Sequence, residues 1–182
     1  SIVSAVMNPI WRSLSAENAA ALELGQAATN IVNYQFIANF VKIGGTAATL
    51  GLAIVILLTA KSSQYKALGK LSIVPALFNI NEPIIFGFPI MLNPLYVIPM
   101  VFSPAASGLV AWALIGIFPI QFNPTISMPW VTPGFITTFF QGGIFMLLLW
   151  LISLAIHFIM YLPFFLIDDN NALKQEQEMK AQ

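Results

Sequence analysis

Glu82 is the only charged residue between Lys70 and Asp168, and it lies in Asn79-Ile80-Asn81-Glu82-Pro83 with long apolar sequence on both sides. An acid at the centre of a membrane segment costs roughly 2.5–3.5 kcal/mol on insertion scales, so such residues face a bundle interior or a wet cavity and mark transport paths. The alternative is a carboxylate solvated at a membrane surface. Asn79 and Asn81 each carry a donor and an acceptor, which suits a hydroxyl ligand and equally suits the peptide groups of a turn. Asn81 stays open between ligand contact and scaffold, whereas Asn79 reads as scaffold and Pro83 as a residue that shapes the turn. Trp130, between Pro129 and Pro133, sits in a stiff segment. Its indole can cover the C–H face of a ligand or anchor the chain at an interface. His157, the only histidine, lies in apolar Ile156-His157-Phe158 and reads as a satisfied structural group. Tyr34-Gln35 and Tyr161-Leu162-Pro163 read as interface and packing.

The composition explains why these few polar residues stand out. Hydrophobic residues make up 58% of the 182, and charged residues 8%, against about a quarter in soluble domains. The mean hydropathy of +0.84 agrees with a membrane protein. A formal net charge of zero gives no reason to expect a nucleic-acid partner. The absence of cysteine excludes disulfides and thiol chemistry within the chain. No metal-ligand spacing, phosphate-binding glycine loop or nucleophile–base pair is present, so no cofactor or autonomous catalysis is expected. Ser1-Ile2-Val3 lacks the features of a secretory signal, and the chain opens inside an apolar element as a fragment would.

The elements that must position these residues are helical. Residues 1–12 read as the end of an intramembrane element closed by the interfacial pair Trp11-Arg12, and 13–42 as a more polar connection with an Ala-rich helix stopped at Gly25. Residues 43–60 form an uncharged span whose Gly44, Gly45, Ala47, Ala48, Gly51 and Ala53 allow close helix packing. Residues 61–70 carry Lys61, Lys66 and Lys70 without an acid, which marks a cytoplasmic loop. Residues 71–92 could cross by length alone, but Pro75, Pro83 and Pro89 together with Asn79, Asn81 and Glu82 argue for a re-entrant hairpin with its turn near 79–83. Spans at 93–118 and 136–162, the second uninterrupted, flank a Pro- and Asn-rich loop at 119–135, and 163–182 is a soluble tail. With a re-entrant hairpin, the parity of the spans returns that tail to the cytoplasm. The fold class is thus an all-α membrane protein of transmembrane helices plus a re-entrant helical hairpin.

Lys61-Ser62-Ser63-Gln64-Tyr65-Lys66-Ala67-Leu68-Gly69-Lys70, then Phe78-Asn79-Ile80-Asn81-Glu82-Pro83-Ile84-Ile85-Phe86-Gly87 and Pro89-Ile90-Met91-Leu92-Asn93-Pro94, closely resemble the enzyme IIC sugar permeases of the bacterial phosphotransferase system. The lactose, cellobiose and chitobiose family is the most similar. Val6-Met7-Asn8-Pro9-Ile10-Trp11 and Met128-Pro129-Trp130-Val131-Thr132-Pro133 agree in the same order. The resemblance covers nearly the whole chain and implies the C-terminal, sugar-binding portion of the transport domain, in a multi-pass protein of the bacterial inner membrane. It implies import of a β-linked disaccharide, presented to a cytoplasmic phosphocysteine IIB component, by a permease that is a homodimer. It makes Glu82 the residue that polarises the sugar hydroxyl, with Asn81 and Trp130 in the sugar site. It also places the family's sugar-site histidine, in a Gly-Ile-His-Gly motif, immediately before Ser1. A reading from another class is an ion-coupled secondary sugar carrier with Glu82 as its proton site.

Overall fold

The computed structural model describes residues 2–88, 90, 92–118, 120 and 122–181, so Ser1, Pro89, Met91, Pro119, Gln121 and Gln182 lie outside it. The described residues contain helices and no strand. In order they are α1 (Ile2–Glu23), α2 (Tyr34–Phe36) continued by a π-helical stretch (Ile37–Val41), a 3₁₀ turn (Thr46–Ala48), α3 (Thr49–Thr59), α4 (Ser63–Leu77), α5 (Glu82–Gly87), a 3₁₀ turn (Pro94–Tyr96), α6 (Val97–Ile117) and α7 (Gly134–Ala181). Three helical stretches are long and apolar enough to cross a membrane: Tyr34–Thr59, Pro94–Ile117 and Gly134–Ala181. Large apolar residues such as Val101, Phe102 and Leu109 of α6, and Phe145, Leu148 and Ile159 of α7, stand exposed on the outside.

The sequence boundary at residue 12 disappears, because α1 runs through it to Glu23. Nor are residues 13–42 a mere connection, since Asn33, Gln35 and Asn39 are all buried. Their polarity is used internally. Asn18 of α1 donates to the Asn30 carbonyl at 2.8 Å and accepts from its N–H at 3.0 Å, which fastens the loop after Gly25. Gly25, with φ +70, ends the helix as the reading of that glycine required.

The first span is broken in its middle. The π stretch ends where Lys42 N–H donates to the Ile37 carbonyl. Gly44, Gly45, Ala47 and Ala48 then all take positive φ before α3 starts, later than residue 43. Two alanines in the left-handed region cost about 1–2 kcal/mol each and persist only where surroundings hold them. Here Tyr161 of α7 donates to the Ala47 carbonyl at 2.6 Å and Thr49 to the Gly44 carbonyl at 2.7 Å. His157 Nε2 and Ser107 Oγ share the Phe40 carbonyl at 3.2 and 2.7 Å, and His157 Nδ1 meets the Ser103 hydroxyl. His157 is therefore a structural group of the broken helix. Gly51 lets α3 lie directly on α7, for a Cβ there would meet His157 Cβ at 2.6 Å.

Helices α4 and α5 form a hairpin. Its tip is at residues 78–81, and its two feet share one end: Gly87 lies against Leu68, and the Phe88 ring packs tilted against Tyr65 at a centroid distance of 5.0 Å. That foot is bound to the far end of α7. Asp169 accepts from Lys61 N–H at 2.7 Å, Ser62 N–H at 3.0 Å and Ser62 Oγ at 2.7 Å. Glu176 accepts from the N–H groups of Ser63 and Gln64, both at 3.1 Å. These carboxylates satisfy the open N–H groups of the α4 N-terminus and complement its dipole. Asp168 accepts from Tyr65 and Tyr96 hydroxyls at 3.0 and 3.2 Å. Burial and the Asp168 carboxylate push the Tyr65 phenol far above its usual range, so it remains a donor.

Residues 163–182 are consequently not a separate tail: α7 continues through Pro163 to Ala181. Nor is 136–162 uninterrupted, because Gly142 (φ −156°, ψ 16°) and Gly143 (φ 69°, ψ −159°) break the helix. Gly143 occupies a region open essentially to glycine alone. Gly143→Ala should lower stability by about 1–3 kcal/mol although a Cβ there would touch nothing within 4 Å, whereas Gly116→Ala, equally unobstructed inside α6, should be neutral or stabilising. Thermal unfolding in lipid nanodiscs compares the two; equal shifts would remove the strain argument. Glu176 titrates below its ordinary value of 4.5, chiefly through the Ser63 and Gln64 N–H groups. A depressed carboxylate stabilises above its unfolded value and loses that contribution as pH falls through its folded one. The Tm advantage of wild type over Glu176→Gln should thus be present at neutral pH and decline progressively as pH falls below 4.5.

Candidate functional site

Asn79 is where the hairpin turns. It follows α4 as the left-handed residue (φ 63°) of a helix-ending motif in which Asn79 N–H donates to Ala76 and Ile80 N–H to Pro75. Asparagine tolerates this conformation, and its side chain is then fully used. Nδ2 donates to the carbonyls of Trp130 at 2.8 Å and Thr132 at 3.0 Å, while Oδ1 accepts from Gly44 N–H at 3.2 Å. One amide therefore ties the hairpin tip to both the broken helix and the segment carrying Trp130. Asn81 adds a second tie, its Nδ2 donating to the Thr46 carbonyl at 3.1 Å. Gly45 permits this approach, since a Cβ there would lie 2.8 Å from Asn81 Nδ2.

Glu82 starts α5, with Pro83 beside it in the first turn, a position that favours both an acid and a proline. Its exposed carboxylate makes no hydrogen bond or ion pair to the described residues and opens into a cavity of about 570 Å³. That size is typical of small-molecule sites. Asn81, Glu82 and Trp130 all line it, so the three sequence-chosen site residues come together, joined by Asn79. Asn81 serves as scaffold through Nδ2 and leaves Oδ1 unbonded among the described residues. Trp130 is 67% exposed, with its backbone held by Asn79 and by the turn bond from Thr132 N–H to Pro129.

The opposite part of the lining was not anticipated. Asn8, Arg12 and Ser15 come from α1, Gln35 and Asn39 from α2 and its π stretch, and Lys42 from the residue that ends that stretch. Tyr34 and Gln35, read as interface and packing, belong to this cavity as well. Both triplets repeat at i, i+4 and i+7, one helical face, a signal present in the sequence. Arg12 lies over the Tyr34 ring at 4.1 Å, and Asn39 donates to Gln141 at 2.7 Å. Trp150 also lines the cavity without any sequence signal; its buried Nε1 has no hydrogen-bond partner and is covered by Gly134, where a Cβ would sit 2.5 Å away.

The family model of the phosphotransferase system EIIC matches residues 1–104. The chain belongs to the phosphotransferase system EIIC family. This EIIC chain is 36% identical to the lichenan permease IIC component of Bacillus subtilis (strain 168), over 98% of its own length and 40% of the relative's. It is 38% identical to the cellobiose-specific EIIC component of Geobacillus stearothermophilus, over 97% and 40% respectively. Its fold matches the crystal structure of the transporter ChbC, the IIC component of the N,N'-diacetylchitobiose-specific system, with a TM-score of 0.90 and 37% identity, covering 97% of this chain and 41% of that one. The chain thus spans about two fifths of the length of these relatives. Like other EIIC proteins it is an integral inner-membrane protein. These relatives are phosphotransferase components, so the ion-coupled carrier reading is set aside.

Asn79→Asp keeps an acceptor for Gly44 N–H but turns an oxygen toward two carbonyls. Leaving such donors lost and acceptors opposed costs about 1–3 kcal/mol. Hydrogen exchange in the 130–134 segment should rise clearly in this variant while exchange at the α4 N-terminus stays as in wild type. An unchanged 130–134 segment would show that Asn79 does not hold it.

Proposed function

We propose that this chain is the sugar-binding part of a permease that imports a β-linked disaccharide of the cellobiose, chitobiose or lactose class and presents it to a cytoplasmic phosphocysteine IIB component. The observation that carries this reading is the Glu82 carboxylate, unpaired among the described residues, in a cavity it shares with Asn81 and Trp130. The names of the relatives, which handle lichenan, cellobiose and diacetylchitobiose, support the substrate class.

The chemistry follows from the residue types. Trp130 offers an apolar face to a pyranose ring, and Asn81 Oδ1 accepts from one of its hydroxyls. Glu82 accepts from the hydroxyl that is to be phosphorylated. As that oxygen attacks phosphorus, the O–P bond forms, the S–P bond of the phosphocysteine breaks, the hydroxyl proton passes to the carboxylate, and the thiolate leaves. A base contributes typically 10²–10⁴-fold to such a step.

In cells whose disaccharide uptake depends on this protein, Glu82→Gln should lower sugar phosphorylation about 100-fold or more while disaccharide binding changes far less. Trp130→Ala should weaken binding about tenfold, equivalent to about 1.4 kcal/mol. Uptake and phosphorylation by Glu82→Gln at the wild-type rate would remove Glu82 from the mechanism. Uptake that survives loss of the phosphoryl donor would remove the phosphotransferase reading itself.

A further inference from the structure

Two cations share the cavity with Glu82 and have no acid of their own. Arg12 and Lys42 both line it, and neither forms an ion pair among the described residues. Aromatic faces hold them instead. The Arg12 guanidinium lies 4.1 Å from the Tyr34 ring centroid, and the Lys42 ammonium 5.2 Å from that of Trp11. A ring face fixes a cation while leaving its N–H groups unspent. Arg12 makes no hydrogen bond to the described residues, so all five guanidinium donors remain. Lys42 gives one donor to Ser4 Oγ at 3.1 Å and keeps two. Both stand on the regular polar faces noted above, Arg12 with Asn8 and Ser15, Lys42 with Gln35 and Asn39, so the fold aims them into the same space.

A neutral disaccharide needs hydrogen-bond donors but does not need the charge of two cations. A phosphorylated one does. Transfer converts the ligand into an anion beside Glu82, and once Glu82 gives up the proton it took, two like charges share the site and repel strongly unless a cation lies near them. Unspent guanidinium and ammonium donors match a phosphate monoester, the guanidinium through paired bonds and the ammonium as a point charge.

We propose that Arg12 and Lys42 form a phosphate subsite that holds the newly phosphorylated disaccharide in the cavity. This rests on the reading of the site as one for a disaccharide that becomes phosphorylated, and it adds residues that do not touch the neutral sugar's reacting hydroxyl. It also implies that the product leaves more slowly than the unmodified sugar.

The test compares cellobiose with cellobiose carrying a phosphate monoester on a primary hydroxyl, bound to the purified full chain in nanodiscs and followed calorimetrically. The wild type should bind the ester at least tenfold more tightly at low ionic strength, with the advantage shrinking as salt rises. Arg12→Gln and Lys42→Gln should each cut that advantage at least fivefold, and Arg12→Lys and Lys42→Arg should restore part of it. Equal affinity of the wild type for the two ligands overturns the subsite, as does a parallel loss of both ligands in the variants, which would make these residues sugar-hydroxyl donors. Competition by inorganic phosphate at the same concentration as the ester would reveal a general anion site and overturn the assignment to product. Binding of neither ligand overturns both this subsite and the disaccharide reading on which it rests. The wild-type comparison and its salt dependence need no variant, so a misfolded substitution leaves the test intact.

Discussion

Everything about the site depends on a contact between two interrupted pieces of backbone. The broken first span exposes amides and carbonyls around Gly44 and Thr46, and the hairpin tip exposes others around Asn79 and Asn81. Neither could remain inside a membrane alone, because hydrocarbon supplies no partners for peptide groups. Facing each other, they exchange bonds through two asparagine side chains. The interruption thereby becomes a place where polar groups and space coexist, which is what a hydroxyl-rich ligand requires. Discontinuous helices around a midplane site are a recurrent solution in transporters for this reason.

The long helix α7 serves both ends of this arrangement. Its 48 residues would extend about 72 Å if straight, more than twice the hydrocarbon thickness. Near the start, Gln141 bonds Asn39 of the cavity lining; in the middle, His157 and Tyr161 occupy the carbonyls freed by the broken span; near the end, Asp169 and Glu176 cap α4. Asp169 is 1% exposed, a buried carboxylate made tolerable by three hydrogen bonds. The hairpin is thus gripped at its tip by asparagines and at its foot by acids.

The sequence discloses some of this directly. A lone acid in apolar surroundings, flanked by asparagine and proline, points to the hairpin tip and to the cavity that Glu82 lines there. An Ala-rich helix stopped by glycine is equally legible at Gly25. The break before α3 is not, because Ala47 and Ala48 are strong helix formers held in left-handed geometry only by tertiary bonds. Asn33, Gln35 and Asn39 look like a polar connection because one sequence shows a residue's polarity and not its partner. The acids of 163–182 look solvated for the same reason, and 136–162 looks uninterrupted until the backbone angles of Gly142 and Gly143 are known.

Gly134 contributes by what it lacks. The buried indole of Trp150 comes so close to the Gly134 backbone that a Cβ at 134 would lie 2.5 Å from Nε1 and 2.9 Å from Cε2. A side chain at 134 would force that indole to shift, so the placing of this part of the cavity wall depends on a residue that carries only hydrogen there.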